Sequence, residues 1–321
     1  MNRRWMLFAT AATAAALTAP LAATAQDKTP LKIVVGFPPG GSADTLARLL
    51  AEGLRERYQP VVVENRPGAG GRIALSQVKR AEPDGQTVIV LPSGPMVLFP
   101  HVYKKLDYDA VTDFTPISLL THFQFGVVAG PSAKAKSMAE MIAAAKAEPG
   151  KGSYGTPGQG TLPHFMGVLF EQQVGAKLNH VPFQGGGPAN AALVGGHIDY
   201  KFDVVSETAE LHRTGKVRIL AVTGAQRDPQ VPEVPTLKEA GVDMVATAWF
   251  GMYGPAGVPD AARDRLQQAV AEAMKQPALR ERLQGLGYEP VGSTPAELAA
   301  AQKADLDRWA APIRATGILL D

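Results

Sequence analysis

The stretch with the most chemical content is Gly36-Phe-Pro-Pro-Gly-Gly-Ser-Ala-Asp44. It separates an apolar, partly β-branched run (residues 31–37) from residues 42–58, where Leu46, Leu49, Leu50 and Leu54 recur at helical spacing. A strand entering such a loop and a helix leaving it turn several backbone N–H groups toward one point, with the positive end of the helix behind them. Ser42 is placed to cap that helix. An anion, most simply a carboxylate, fits there without a cationic side chain. The loop is not a phosphate-binding P-loop, which needs a Lys and then Ser or Thr after its last Gly. Nor is it a dinucleotide fingerprint, whose three glycines keep a set spacing. An ordinary βα turn is the plain alternative.

The strand, glycine loop and helix recur. Residues 60–65 read as a strand, Arg66-Pro-Gly-Ala-Gly-Gly71 as a turn and 72–81 as a helix; a third strand at 87–91 completes a βαβαβ order, which implies a parallel sheet. Residues 93–114 are irregular. The strand-like run 117–129 is interrupted by Thr121-His122-Phe123-Gln124, as a crossing between domains would be. Ser137 and Glu140 form a capping box for a helix to about Lys146. Two more glycine loops follow, Thr156-Pro-Gly-Gln-Gly-Thr161 before a helix at 162–174, and Gln184-Gly-Gly-Gly-Pro188 after a strand at 178–183, with Pro188 expected at the first helical position. Strands at 198–204 and 217–222 flank a helix near 206–213. Residues 246–253 return as a strand, 259–275 as an amphipathic helix, and Thr294 with Glu297 caps a last helix to about Ala315.

The reading is two α/β lobes, one formed by residues 26–122 and 248–321 and the other by 123–247. The hinge falls near 121–124 and 246–249. A cleft lies between strand ends, where open α/β sheets take ligands.

Arg3 and Arg4, an Ala-rich apolar run and Ala23-Thr24-Ala25 mark residues 1–25 as a signal peptide cleaved near Ala25. Cleavage removes two Arg and no acid from a chain of 32 basic and 30 acidic residues, so the mature protein is formally neutral. That argues against a nucleic-acid or membrane-surface partner. With no cysteine, disulfide and thiol chemistry are excluded. The six His show no paired metal-ligand spacing, and neither Gly-x-Ser-x-Gly nor His-Glu-x-x-His occurs. No metal or cofactor is expected.

Six ordered motifs carry a family resemblance: Phe37-Pro-Pro-Gly-Gly-Ser-x-Asp44 with Ala47-Arg48, Asn65-Arg-Pro-Gly-Ala-Gly-Gly71, Tyr154-Gly-x-x-Gly-x-Gly-Thr161-x-x-His164, His180-Val-Pro-Phe183 with Gly187-Pro-Ala189, Val234-Pro-Thr236 with Glu239-Ala-Gly241, and Trp249-Phe-Gly251. From about residue 31 to 321 the chain resembles the substrate-binding proteins of tripartite tricarboxylate transporters, the Bug family. The resemblance implies a two-lobed type II periplasmic-binding-protein (Venus flytrap) fold, a periplasmic location, transport without catalysis, permease subunits as partners, and a small carboxylate held by backbone N–H groups and water. Carried over, the first-lobe contacts are Phe37, Gly40, Gly41, Ser42 and Asp44. The second-lobe contacts are Thr156, Gly158, Gly160, Thr161 and His164, with Phe183 and Gly185 nearby and Asp203 and Ser206 at a strand end facing the cleft. Where the family commonly has Tyr-Lys after Val-Pro, this chain has Phe183-Gln184, without the phenol and the cation. That shifts the expected ligand from a highly charged acid such as citrate toward a dicarboxylate or an aromatic acid stacked on Phe37 or Phe183.

Asp44 and His164 also have local readings, in which they hold their own loops. Phe123, Phe125 and Trp249 read as core. Ligand specificity is assigned to the irregular stretches 93–99 and 206–208. The default assembly is a monomer. Two other functions fit: a ligand-loaded sensor docking to a membrane receptor, and a secreted hydrolase pairing Ser42 or Ser153 with His164.

Overall fold

A computed structural model describes residues 29–321; the leader expected at 1–25 lies outside the described residues. The first part of the chain runs β1 (Thr29–Val35), α1 (Ser42–Leu54), β2 (Tyr58–Asn65), α2 (Arg72–Lys79), β3 (Thr87–Pro92), two single-turn helices α3 (Gly94–Val97) and α4 (Phe99–Val102), and β4 (Phe114–Ala129). The middle adds α5 (Met138–Ala147), β5 (Ser153–Thr156), α6 (Leu162–Val174), β6 (Asn179–Pro182), α7 (Gly186–Val194), β7 (Tyr200–Val204), α8 (Ala209–Arg213) and β8 (Arg218–Val222). The chain returns through β9 (Thr247–Pro255), α9 (Asp260–Lys275), α10 (Pro277–Gly285), β10 (Glu289–Pro290) and α11 (Pro295–Thr316).

The sheet order is β2-β1-β3-β9-β4-β7-β5-β6, with β8 and β10 also on β4. β1 pairs in parallel with β2 and β3, as the βαβαβ order predicts. β4 is the strand that joins the lobes. Its residues Phe114 to Gln124 pair with β9 in the first lobe, and Phe125 to Ala129 pair with β7 in the second. The polar residues 121–124 therefore do not break the strand, contrary to the sequence reading. Their backbone stays in the ladder with β9, and the pairing partner changes immediately after them. Thr223 ties the two connecting segments together at this point: its Oγ1 accepts from Phe125 N–H at 3.0 Å and donates to the Ala246 carbonyl at 2.6 Å.

The apolar spacing that predicts α1 also packs it. Leu46, Leu50 and Leu54 are fully buried, each contributing about 1.5–3 kcal/mol. The helix stops at Leu54 and Tyr58 already belongs to β2. The C-terminal helices close the first lobe: at Gly53 of α1 an added Cβ would stand 3.1 Å from Ala273 Cβ of α9. The Thr294–Glu297 capping box is complete. At Ser137 the Oγ accepts from Glu140 N–H, but the Glu140 carboxylate turns to Lys136 N–H instead. Pro188 is the third residue of α7, not the first, because the helix starts at Gly186. α10 and β10 have no counterpart in the sequence reading. No helix among the described residues is long and apolar enough to cross a membrane.

Candidate functional site: a cleft between helix N-termini

A cavity of about 60 Å³ lies between the lobes. One water needs roughly 10–15 Å³ measured this way, so the space suits a small molecule. Three helices longer than one turn begin at its wall, beside the single-turn α3, whose Gly94 and Pro95 also line it. Gly41, Ser42 and Ala43 bring the start of α1, Thr161, Leu162 and Pro163 that of α6, and Gly186 and Gly187 that of α7. The first N–H groups of each helix have no intrahelical acceptor, so the wall presents donors and positive dipole ends. Phe123, Phe125 and Phe250 make an aromatic floor, where Phe123 stacks on Phe250 at 4.5 Å and meets Phe125 edge-on at 5.3 Å. Phe123 and Phe125, expected in the core, are indeed buried, but the switch of β4 between lobes brings their rings to the cavity. Trp249 stays in the core, with Nε1 donating to Asp305.

The ionisable groups on the cavity wall are Asp203 and Glu207. Glu207 comes from the second lobe, yet its Oε1 accepts Ser42 N–H at 2.9 Å across the cleft. Gly41 therefore precedes α1 with no side-chain cap; Ser42 is the first helical residue, and a carboxylate from the other lobe takes its N–H. Behind the wall Lys201 is fully buried. Its ammonium lies 2.7 Å from Asp203 Oδ2 and donates to Asn190 Oδ1 at 2.7 Å and the Gly186 carbonyl at 3.2 Å. Burial raises the Asp203 pKa; Glu207 pushes the same way, and Lys201 opposes both.

A family model described as "Tripartite tricarboxylate transporter family receptor" matches residues 46–318. This chain belongs to that receptor family. Protein BugT of Bordetella pertussis is 32% identical over 309 residues, covering 95% of each chain. Among solved structures, the periplasmic binding protein BugD superposes with a TM-score of 0.85 at 32% identity, over 91% of this chain and 98% of that one. MatC of Rhodopseudomonas palustris with bound malate gives 0.84 at 33%, over 89% and 99%. A second R. palustris protein, solved with adipate, gives 0.87 at 32%, over 91% and 98%. The two-lobed periplasmic-binding-protein fold expected from the sequence is the fold of this receptor.

Of the receptor residues singled out in the sequence, Phe37, Gly41, Ser42, Thr161 and Asp203 line the central cavity. Gly40 and Ser206 line a neighbouring hollow on the far side of Glu207, and Ser206 Oγ lies 3.0 Å from Tyr288 Oη. Asp44 sits behind its loop. Its Oδ2 accepts from Gly40 N–H and Arg48 Nε, and its Oδ1 from Asn65 Nδ2, each at 2.9 Å. Burial alone would raise the Asp44 pKa, but the bonds from Arg48, Gly40 and Asn65 together hold it lowered.

The third glycine loop is fixed from behind in the same way. His164 Nδ1 accepts Gly160 N–H at 3.1 Å and its ring stacks on His180 at 4.0 Å. Thr156 Oγ1 lies 2.7 Å from His180 Nε2, and the Thr156 and Thr161 hydroxyls both donate to the Gly158 carbonyl. Burial lowers the pKa of His164 to about 4 and that of His180 to about 3, so both rings are neutral near pH 7. Phe183 packs under Gly155, and Gly185, at φ +118°, passes close to Pro38. His164 is thus committed to Gly160, and Ser153 Oγ to Asp199 Oδ2 at 2.9 Å.

Glu207 and Lys201 were missed as individual residues. The available signal was the alternation Tyr200-Lys201-Phe202-Asp203-Val204, in which a Lys and an Asp share one strand face within an apolar run. That pattern marks a buried ion pair.

Proposed function

We propose that this receptor is exported to the periplasm, captures a small carboxylate between its lobes as a monomer, and presents the closed, loaded form to the permease subunits of a tripartite tricarboxylate-type transporter. The observation that carries the reading is the convergence of the N-termini of α1, α6 and α7 on one enclosed, aromatic-floored cavity. Fixed dipoles of this kind stabilise an anion with no net positive charge on the protein, in keeping with a formally neutral mature chain. The malate and adipate in related structures support a carboxylate.

In this reading Phe37, Gly41, Ser42, Thr161 and Asp203 contact the ligand or its waters. Gly40, Asp44, Thr156, Gly158, Gly160, His164, Phe183, Gly185 and Ser206 shape the loops that present the donors. The lobes, residues 26–122 with 248–321 and residues 123–247, close about residues 121–124 and 246–249. The protein binds and releases its ligand unchanged.

The test is thermal unfolding of the mature protein against mono-, di- and tricarboxylates, aromatic acids and sugars. A ligand at about 100 times its dissociation constant stabilises by about 2.7 kcal/mol. A shift with acids and none with sugars is expected. A shift with sugars alone, or no acid found either by this screen or by mass spectrometry of ligand released from the purified protein, would sink the reading.

A further inference from the structure

The cleft already contains an anion of its own. Glu207 Oε1 takes the first N–H of α1, and Glu207 Oε2 stands only 1.5 Å from where a Cβ on Gly186, the first residue of α7, would be. One carboxylate of the chain therefore takes the anion position at α1 and packs against the first residue of α7. The start of α6 is open. At α6 the Thr161 hydroxyl is turned to Gly158 and Pro163 has no N–H, so Leu162 and His164 supply its free backbone donors.

The opposite end of the cavity has the reverse character. Asp203 and Glu207 are both carboxylates, and Lys201 has its three protons directed to Asn190, Gly186 and Asp203 behind the wall. Asp203 is only 1% exposed, and its Oδ2 is held by the Lys201 ammonium at 2.7 Å from behind the wall. One ammonium does not use up the lone pairs of two carboxylates, so this end of the cavity can still accept a donor from a ligand. A second ligand carboxylate placed there would face two like charges.

Resting on the carboxylate-receptor reading above, we propose that Glu207 is a built-in substitute for a second ligand carboxylate. The receptor then takes a monocarboxylate, docked on the α6 N-terminus. Its far end is an ammonium or amide N–H donor to Asp203 and Glu207, and its body lies on Phe123, Phe125 and Phe250. Glu207 is thereby the residue that discriminates an amino acid-like ligand from a dicarboxylate of the same length.

Matched pairs test this. Adipate and 5-aminopentanoate share a four-methylene spacer, malate pairs with isoserine, and terephthalate with 4-(aminomethyl)benzoate. Calorimetric titration of ligand-stripped receptor at pH 8 is expected to show the amino member of at least one pair binding at least tenfold tighter than its diacid. Glu207→Gln should narrow that ratio at least tenfold, with Glu207→Ala as a second variant and unfolding midpoints to confirm that both fold. Diacids that bind the unaltered receptor as tightly as their amino partners would overturn this inference and leave the carboxylate reading standing. A ratio unchanged in both Glu207 variants would overturn the role of Glu207. Binding by no member of any pair would overturn this inference, and the carboxylate reading would then stand or fall with the broader acid screen and the mass spectrometry of released ligand.

Discussion

Acidification should destabilise the second lobe through His164. This ring is 5% exposed, accepts the Gly160 N–H through Nδ1 and stacks on His180. Only the neutral ring can accept that bond. Burial lowers its pKa to about 4 from a reference of 6.5. Because the folded value lies below the unfolded one, the unfolded chain binds the proton first. The stabilisation is complete above the unfolded value and is lost as pH falls from there toward 4. Between pH 7 and pH 5 the linkage relation gives a loss of about 2 kcal/mol from this one group. His164→Asn places an amide oxygen near the Nδ1 position and removes the titration. Urea unfolding at the two pH values, for both proteins, cancels every other titrating group to first order. The unaltered protein should lose about 2 kcal/mol more than the variant. Equal losses would refute the argument, since His164 would then not be held neutral in the fold.

Asp44→Ala removes the acceptor of three hydrogen bonds behind the first glycine loop. It should cost about 1–3 kcal/mol, seen as a lowered midpoint in thermal unfolding; an unchanged midpoint would show that the loop does not need it. Gly186→Ala drives a Cβ into the Glu207 carboxylate and should break its bond to Ser42. Small-angle scattering of the variant should then show a larger radius of gyration than the unaltered protein, and identical profiles would count against Glu207 as a contact holding the lobes together. Thr223→Val keeps the shape of the side chain but leaves Phe125 N–H and the Ala246 carbonyl without their bridge. The expected cost is about 1–3 kcal/mol, with faster deuterium exchange at the Phe125 amide, and unaltered exchange there would argue against the bridge.

The fold was legible where chemistry is local. Helix α6 runs over residues 162–174 as read, because a glycine loop starts it and Gly175, in the left-handed conformation, ends it. The capping pair Thr294 and Glu297 likewise starts α11 where expected. Illegible were features set by distant partners. Nothing near Ser42 announces that Glu207, 165 residues away, takes its N–H. Phe123 and Phe125 are buried as read, and what the sequence did not show is that they also face the cleft: they sit where β4 changes partner, which is a property of the sheet and not of the strand. Asp44 and His164 were legible as a choice between loop support and ligand contact. Their bonds to Gly40 and Gly160 are the loop-support geometry.

The position of β9 between β3 and β4 has a consequence for how the chain acquires its shape when it is delivered from its N-terminus onward. Until residue 255 is available, β3 is an unpaired edge and the first three strands form an incomplete layer, open to pairing with other chains. Strands β5 to β8, with their helices, are contiguous in sequence and need only the end of β4 to form their own sheet. The inserted lobe therefore assembles first and the N-terminal one waits for the last third of the polypeptide, reversing the usual order of vectorial folding. Pulse-labelled hydrogen exchange would register this as protection of β7 and β8 ahead of β1 and β3, and the reverse order would refute it.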